Sequence, residues 1–197
     1  MRRSLARLSG GILVAWLASG LGLAEAASGD ADGTYTVTVT KVEVSTNSGS
    51  TYTAVFSGSQ AINIASATAG ATAAGLVSGA TLPPGTYNAV RATIGATLQL
   101  KGYLNISGST WFTNGGADSN GFSVNAGVIN TPGSTYAIST FTIPAANRTN
   151  TTSGMSMTVT ESGAGPTCSI AFDTSGVITN NSGTPTIGAP TITITST

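Results

Sequence analysis

Two short stretches place oxygen-bearing side chains at alternate positions ahead of a glycine: Asp30-Ala31-Asp32-Gly33 and Asp118-Ser119-Asn120-Gly121. The first half of a calcium-binding loop has this spacing, because alternate carboxylates and amides converge on a hard cation while the glycine allows a sharp turn. Asp30, Asp32, Asp118 and Asn120 are therefore the candidate metal ligands, with calcium as the expected ion. Neither stretch is followed by the bidentate acid that closes an EF-hand, and the same residue types make ordinary turns. A second group, Tyr103, Trp111 and Phe112, could stack on sugar rings; the competing role for these aromatics is core packing. A single cysteine, Cys168, stands in phase with Ile170 and Phe172, as a small buried hydrophobe would. It cannot form an intramolecular disulfide, which leaves an intermolecular one as the alternative.

Catalytic constellations are otherwise absent. The chain has no histidine, so no His-based triad or His metal site can form, and no nucleophile elbow, P-loop or dinucleotide fingerprint occurs. A two-carboxylate glycosidase needs only paired Asp or Glu. The acids are poorly placed for it: Asp30 and Asp32 lie near the expected mature N-terminus, Asp118 in a Gly/Asn loop and Asp173 in a turn. A non-enzymatic protein without a resident cofactor is expected.

Residues 1–26 read as a cleaved secretory leader. Arg2, Arg3 and Arg7 precede an apolar run from Ile12 to Leu23, and Ala24-Glu25-Ala26 supplies a small-x-small cleavage site. The run is much shorter than the ~20 residues that span a bilayer. An extracellular or cell-surface location follows, with the mature part, 27–197, read as one domain. That part holds four basic residues (Lys41, Arg91, Lys101, Arg148) against six acidic ones (Asp30, Asp32, Glu43, Asp118, Glu161, Asp173), a net charge of −2. Without basic patches, neither nucleic acid nor an anionic membrane is an expected partner.

The elements that must position these residues are strands. Tyr35, Val37 and Val39 alternate with Thr34, Thr36, Thr38 and Thr40, after which Val42 and Val44 continue out of phase. One long strand is expected there, with a β-bulge near Lys41 or both faces buried. Tyr52–Phe56 and Ala61–Ala65 flank Ser57-Gly58-Ser59, read as a turn, and the Ala/Gly-rich stretch 65–80 is a crossover loop or short helix. Tyr87–Ile94 and Thr97–Ile106 are read as a hairpin about Gly95, with Leu98, Leu100, Leu104 and Ile106 on one face of the second arm. Trp111-Phe112 continues the sheet and 113–121 is loop. Tyr136–Ile143, Met155–Glu161, Cys168–Phe172 and Thr191–Thr195 complete an antiparallel all-β sandwich of about ten strands.

Four Asn-x-Ser/Thr sequons, at Asn105, Asn147, Asn150 and Asn180, mark glycan acceptors only in a pathway that glycosylates them. The threonine rows 34–40 and 191–195 are of the kind ice-binding surfaces use, but the chain lacks the fixed repeat of such solenoids.

Two stretches carry a resemblance: Thr34-Tyr35-Thr36-Val37-Thr38-Val39-Thr40-Lys41-Val42-Glu43-Val44, and Leu82-Pro83-Pro84-Gly85-Thr86-Tyr87-Asn88-Ala89-Val90-Arg91-Ala92-Thr93-Ile94. Together they resemble an uncharacterised class of secreted prokaryotic β-sandwich proteins with an opening VTVxKVEV strand and a later LPxGxYxxVR turn and strand. The resemblance covers roughly residues 34–106 and implies no settled activity. More loosely, the chain is similar to β-rich subunits of extracellular filaments, which complete one another's sheets with a terminal strand. The expectation is a structural subunit that pairs with copies of itself, using Tyr35, Val37, Val39, Val42 and Val44 of the first strand or Ile192 and Ile194 of the last. The alternative is an adhesin or carbohydrate-binding module with a polysaccharide partner.

Overall fold

The structure is a computed structural model. It describes residues 28–65, 82–161 and 173–189 in full and, as backbone strand alone, 6–7, 13–16, 71–75, 81, 168–172 and 191–196. In chain order the strands are β1 (Ala6–Arg7), β2 (Leu13–Trp16), β3 (Ala31–Ser45), β4 (Thr53–Asn63), β5 (Ala71–Gly75), β6 (Thr81–Leu82), β7 (Gly85–Ile106), β8 (Ser109–Thr113), β9 (Phe122–Asn125), β10 (Ser139–Thr142), β11 (Thr149–Val159), β12 (Cys168–Asp173), β13 (Ile178–Asn181), β14 (Thr184–Ile187) and β15 (Thr191–Ser196). Two 3₁₀ turns, Asp118–Asn120 and Ala145–Asn147, are the helical elements among the described residues. The fold is all-β and sandwich-like, as the period-two pattern predicts.

A seven-stranded antiparallel sheet dominates, ordered β4-β3-β7-β8-β9, with β10 and β11 also pairing with β7. β7 organises it. Its 22 residues pair with β3 along one edge, while the other edge meets β11 through residues 85–93 and β10 through 97–100, before the last four residues pair with β8. A strand this long must bend to serve four partners, and the sheet curls around one core. Tyr35, Val37, Val39, Val42, Val44, Ile62, Tyr87, Val90, Leu98, Leu100, Phe141 and Val159 are buried in it.

The continuity of β7 corrects the expected hairpin about Gly95. A tight hairpin of that kind uses positive φ at its turn, and Gly95 has none. It is a strand residue, and a Cβ there would meet Thr38 at an ordinary 3.5 Å. The expected turn at Ser57-Gly58-Ser59 is likewise strand. Val39 faces Gln60 whereas Lys41 faces Ser57, so the small residues absorb a register shift. The β3–β7 ladder slips between the same two β3 residues, which is the expected bulge near Lys41. Beyond it Val42 and Val44 are buried on one face and Glu43 and Ser45 on the other.

Two hairpins close on left-handed pairs. Ser107 (φ 50°) and Gly108 (φ 78°) join β7 to β8, and Ser182 (φ 53°) and Gly183 (φ 90°) join β13 to β14. Two consecutive positive φ values are the type I′ geometry that matches strand twist. The β13–β14 hairpin docks through the Ile178 N–H, which donates to the Gly29 carbonyl at 2.8 Å, while the Gly188 N–H closes the base of the hairpin by donating to the Val177 carbonyl at 2.7 Å. Gly102 permits this approach: a Cβ there would stand 2.5 Å from Ile178 Cδ1 and 2.7 Å from the Asp30 carbonyl oxygen.

Three short ladders lie outside the main sheet besides β13–β14: β1–β6, β2–β5 and β12–β15. Within 65–80, the segment 71–75 is a strand paired with β2 and not the helix that its alanines suggest. Residues 66–70 and 76–80, most of the leader and Pro190 lie outside the described residues, as do the side chains of Cys168, Ile192 and Ile194.

Candidate functional site

The charged residues of the two resemblance stretches meet in space. Glu43 and Arg91 face one another across the β3–β7 ladder. Arg91 Nε donates to Glu43 Oε2 at 2.8 Å, and Lys41, two residues along β3 on the same face, places Nζ 2.7 Å from Oε1. The Glu43 side chain is 7% exposed against 33% for Arg91. A buried carboxylate is retained as an ion only when fully paired, and the hydrogen bond from Arg91 leads in holding the Glu43 carboxyl below its usual range despite burial. The Arg91 guanidinium lies 3.8 Å from the Tyr52 ring centroid, which completes the cluster. Tyr87 of the second stretch donates its hydroxyl to the Pro83 carbonyl at 2.9 Å and fixes the turn into β7. These contacts are structural: both carboxylate oxygens of Glu43 are met by the chain's own Arg91 and Lys41.

The candidate metal ligands divide among separate tasks. Asp30 Oδ1 accepts the Gly176 N–H at 2.7 Å, and Asp32 Oδ2 accepts the Tyr136 hydroxyl at 2.9 Å and pairs with Lys101 at 3.0 Å. Burial and the Asp32 carboxylate together push the Tyr136 phenol well above its ordinary range. Asp118, at left-handed φ of 48°, accepts the Thr142 N–H at 2.6 Å on one oxygen and the Thr142 hydroxyl at 3.1 Å on the other. Asn120 is exposed on the same turn. Among the described residues no three His, Cys, Asp or Glu side chains gather about one point. The contacts that Asp30 and Asp118 make are turn and docking contacts, as Asx side chains commonly make.

The aromatic candidates also part company. Phe112 is buried and meets Tyr136 edge-on at 6.5 Å between ring centroids, which makes it a core residue. Tyr103 pairs with Phe112 in the β7–β8 ladder. Trp111 points its surface to a different neighbourhood, a groove of about 610 Å³ between β8, the Asp118–Asn120 turn, β10 and β14. Phe122 and Phe141, with centroids 5.1 Å apart, share that lining. Thr142, Asn147, Thr184 and Thr186 add hydroxyls and an amide. The sequence does not associate these residues, because β14 lies more than 60 positions from Trp111; the Asn181-Ser182-Gly183 turn signal is the clue that would have found the β13–β14 hairpin.

Of the sequon residues, Asn105 is engaged with Asn130 and Thr110, Asn180 accepts the Gly183 N–H at 2.9 Å, and Asn147 and Asn150 are exposed.

The two terminal strand regions expected to serve assembly differ. β3 is paired on both edges, with β4 and β7, and Tyr35, Val37, Val39, Val42 and Val44 are core residues of their own chain. Among the described residues β4 has a ladder on one edge only, and β15 pairs with β12 alone.

Fold and site thus define an all-β protein built on one curled antiparallel sheet, with an ion cluster that pins its two longest strands. The profile of a domain of unknown function, DUF4382, matches residues 22–181, well over half of the chain, and the chain belongs to that family. No curated protein and no solved structure matches it.

Proposed function

We propose that the chain is an exported, non-enzymatic structural subunit that assembles with copies of itself into an extracellular filament, surface layer or matrix by strand pairing between protomers. The observation that carries this reading is the outer edge of β4. Over 11 residues, Thr53–Asn63, it contains no charge and no proline, and most of its side chains are exposed. Sheet edges are ordinarily blunted by Lys, Pro or a covering element, since their free N–H and C=O groups template further strands. A net charge of −2 on the mature part adds little repulsion between copies.

Because β3 is held on both edges within its own chain, the proposal places the donated strand at the other end. β15, Thr191–Ser196, alternates Thr with Ile in its sequence, the period-two pattern of a strand. Strand addition of this kind gains main-chain hydrogen bonds and seats alternate side chains. The looser similarity to filament subunits agrees with it. The reading assigns no catalytic step to the chain: the carboxylates of Asp30, Asp32, Glu43, Asp118 and Asp173 are each engaged by protein donors.

Truncation tests the donor. Removing residues 190–197 is expected to leave chains that do not polymerise, and a peptide of that sequence in excess is expected to halt growth of the full chain, both followed by light scattering. Normal polymers from the truncated chain would rule out β15.

A further inference from the structure

The groove beside Trp111 has a chemistry that strand pairing does not use. Its volume, about 610 Å³, lies in the ~300–1,000 Å³ range of small-ligand sites. Trp111 and Phe122 supply aromatic surface, both partly exposed, and Thr142, Asn147, Thr184 and Thr186 supply hydroxyl and amide groups that both donate and accept. The sole charged residue of the lining is Asp118, and both of its carboxylate oxygens are already committed to Thr142. The groove therefore offers no cation and one carboxylate already engaged by the chain; it is apolar at its aromatic wall and polar at its rim.

We propose that this groove binds a neutral saccharide chain, with Trp111 as the stacking platform. The C–H faces of a pyranose carry slight positive character and match the negative face of an indole ring, while equatorial hydroxyls find partners among neutral hydroxyls and amides. An anionic ligand would find no cation in the lining and would meet the Asp118 carboxylate, which disfavours uronic acids and phosphates. This site is independent of assembly through β4 and β15.

The test titrates the full chain with the neutral hexasaccharides maltohexaose, cellohexaose and N-acetylchitohexaose, with hexagalacturonate as the charged comparison, by isothermal calorimetry. Saturable binding of at least one neutral hexamer is expected, at least tenfold weaker in Trp111→Ala. In case that variant does not fold, Asn147→Trp fills the groove without altering Trp111 and is expected to abolish binding, whereas Ile129→Ser, on an exposed loop residue, leaves it unchanged. The absence of saturable binding by any neutral hexamer would overturn the proposal, as would undiminished affinity in Asn147→Trp or tighter binding of hexagalacturonate. Concentration-dependent self-association that shields Trp111 from a quencher and is abolished by Asn147→Trp would assign the groove to a second copy of the chain, and also overturn it.

Discussion

Ser139 is wholly buried, and its hydroxyl does the work of a small structural hub. It donates to the Gly121 carbonyl at 2.7 Å and accepts the N–H groups of Asn114 and Gly115, each at 3.0 Å. These contacts tie β10 to the loop that carries the Asp118 turn and hence one wall of the groove. Ser139→Ala removes all three bonds; the Asn114 N–H and the Gly121 carbonyl still meet each other at 3.1 Å, so the Gly115 N–H is the group left short of this partner, and such a loss costs about 1–3 kcal/mol. A fall in stability of about 1–3 kcal/mol is expected from urea unfolding, against near-neutral behaviour for the exposed Ser153→Ala. Glu43 gives a pH signature. Its carboxyl titrates lower in the folded chain than its ordinary 4.5, chiefly through the Arg91 hydrogen bond. The stability it contributes is fully present above the unfolded value and is lost as pH falls through the folded one. The unfolding midpoint should therefore decline below about pH 4.5, and Glu43→Gln should be less stable at neutral pH with a flatter acid limb. Tyr35 works from the other side. Burial pushes its phenol from 10.0 up to about 12, so the unfolded chain releases that proton first and stability declines as pH rises from 10 through 12. Tyr35→Phe should remove part of that alkaline loss.

At the scale of elements, β7 and its partners decide the fold, and two glycines report on it. Gly102→Ala drives a Cβ into Ile178 Cδ1 and the Asp30 carbonyl, which should undock the β13–β14 hairpin and cost more than the ~1–3 kcal/mol of ordinary overpacking, measured by thermal unfolding. Gly95→Ala should be silent or mildly stabilising, since an unstrained strand position gains from reduced unfolded-state freedom. A marked loss at Gly95 would restore the hairpin. Much of this layer was legible. The Thr/Val alternation announced β3, its change of phase announced the bulge, and Leu98, Leu100 and Ile106 announced the buried face of β7. The differences share a cause: local preference reads Gly58, Gly95 and the alanines of 71–75 as breaks or helix formers, whereas the pairing of their strands with β3 and β2 fixes them as strand. Tertiary context commonly overrides β-propensity in this way. The site was less legible. Trp111 was identified, but its neighbours Phe122, Phe141 and Thr184 come from three other strands, and no spacing in the sequence links them.

For the whole molecule, the central claim is that free strand edges let one protomer continue another. The chain has few of the charges that keep soluble domains apart, only 7% of its residues, and β4, laddered on one edge among the described residues, is on the rim of the dominant sheet. Ala54 and Gln60 lie on that strand with exposed side chains, so lysine at both positions should charge the edge without entering the core. The most direct measurement is negative-stain electron microscopy of the secreted wild-type chain beside the Ala54→Lys/Gln60→Lys variant, with circular dichroism to establish that both are folded. Ordered fibres or sheets from the wild type and dispersed particles from the folded variant are predicted. Dispersed wild-type particles, or polymers that the charged edge leaves unchanged, would contradict assembly through β4.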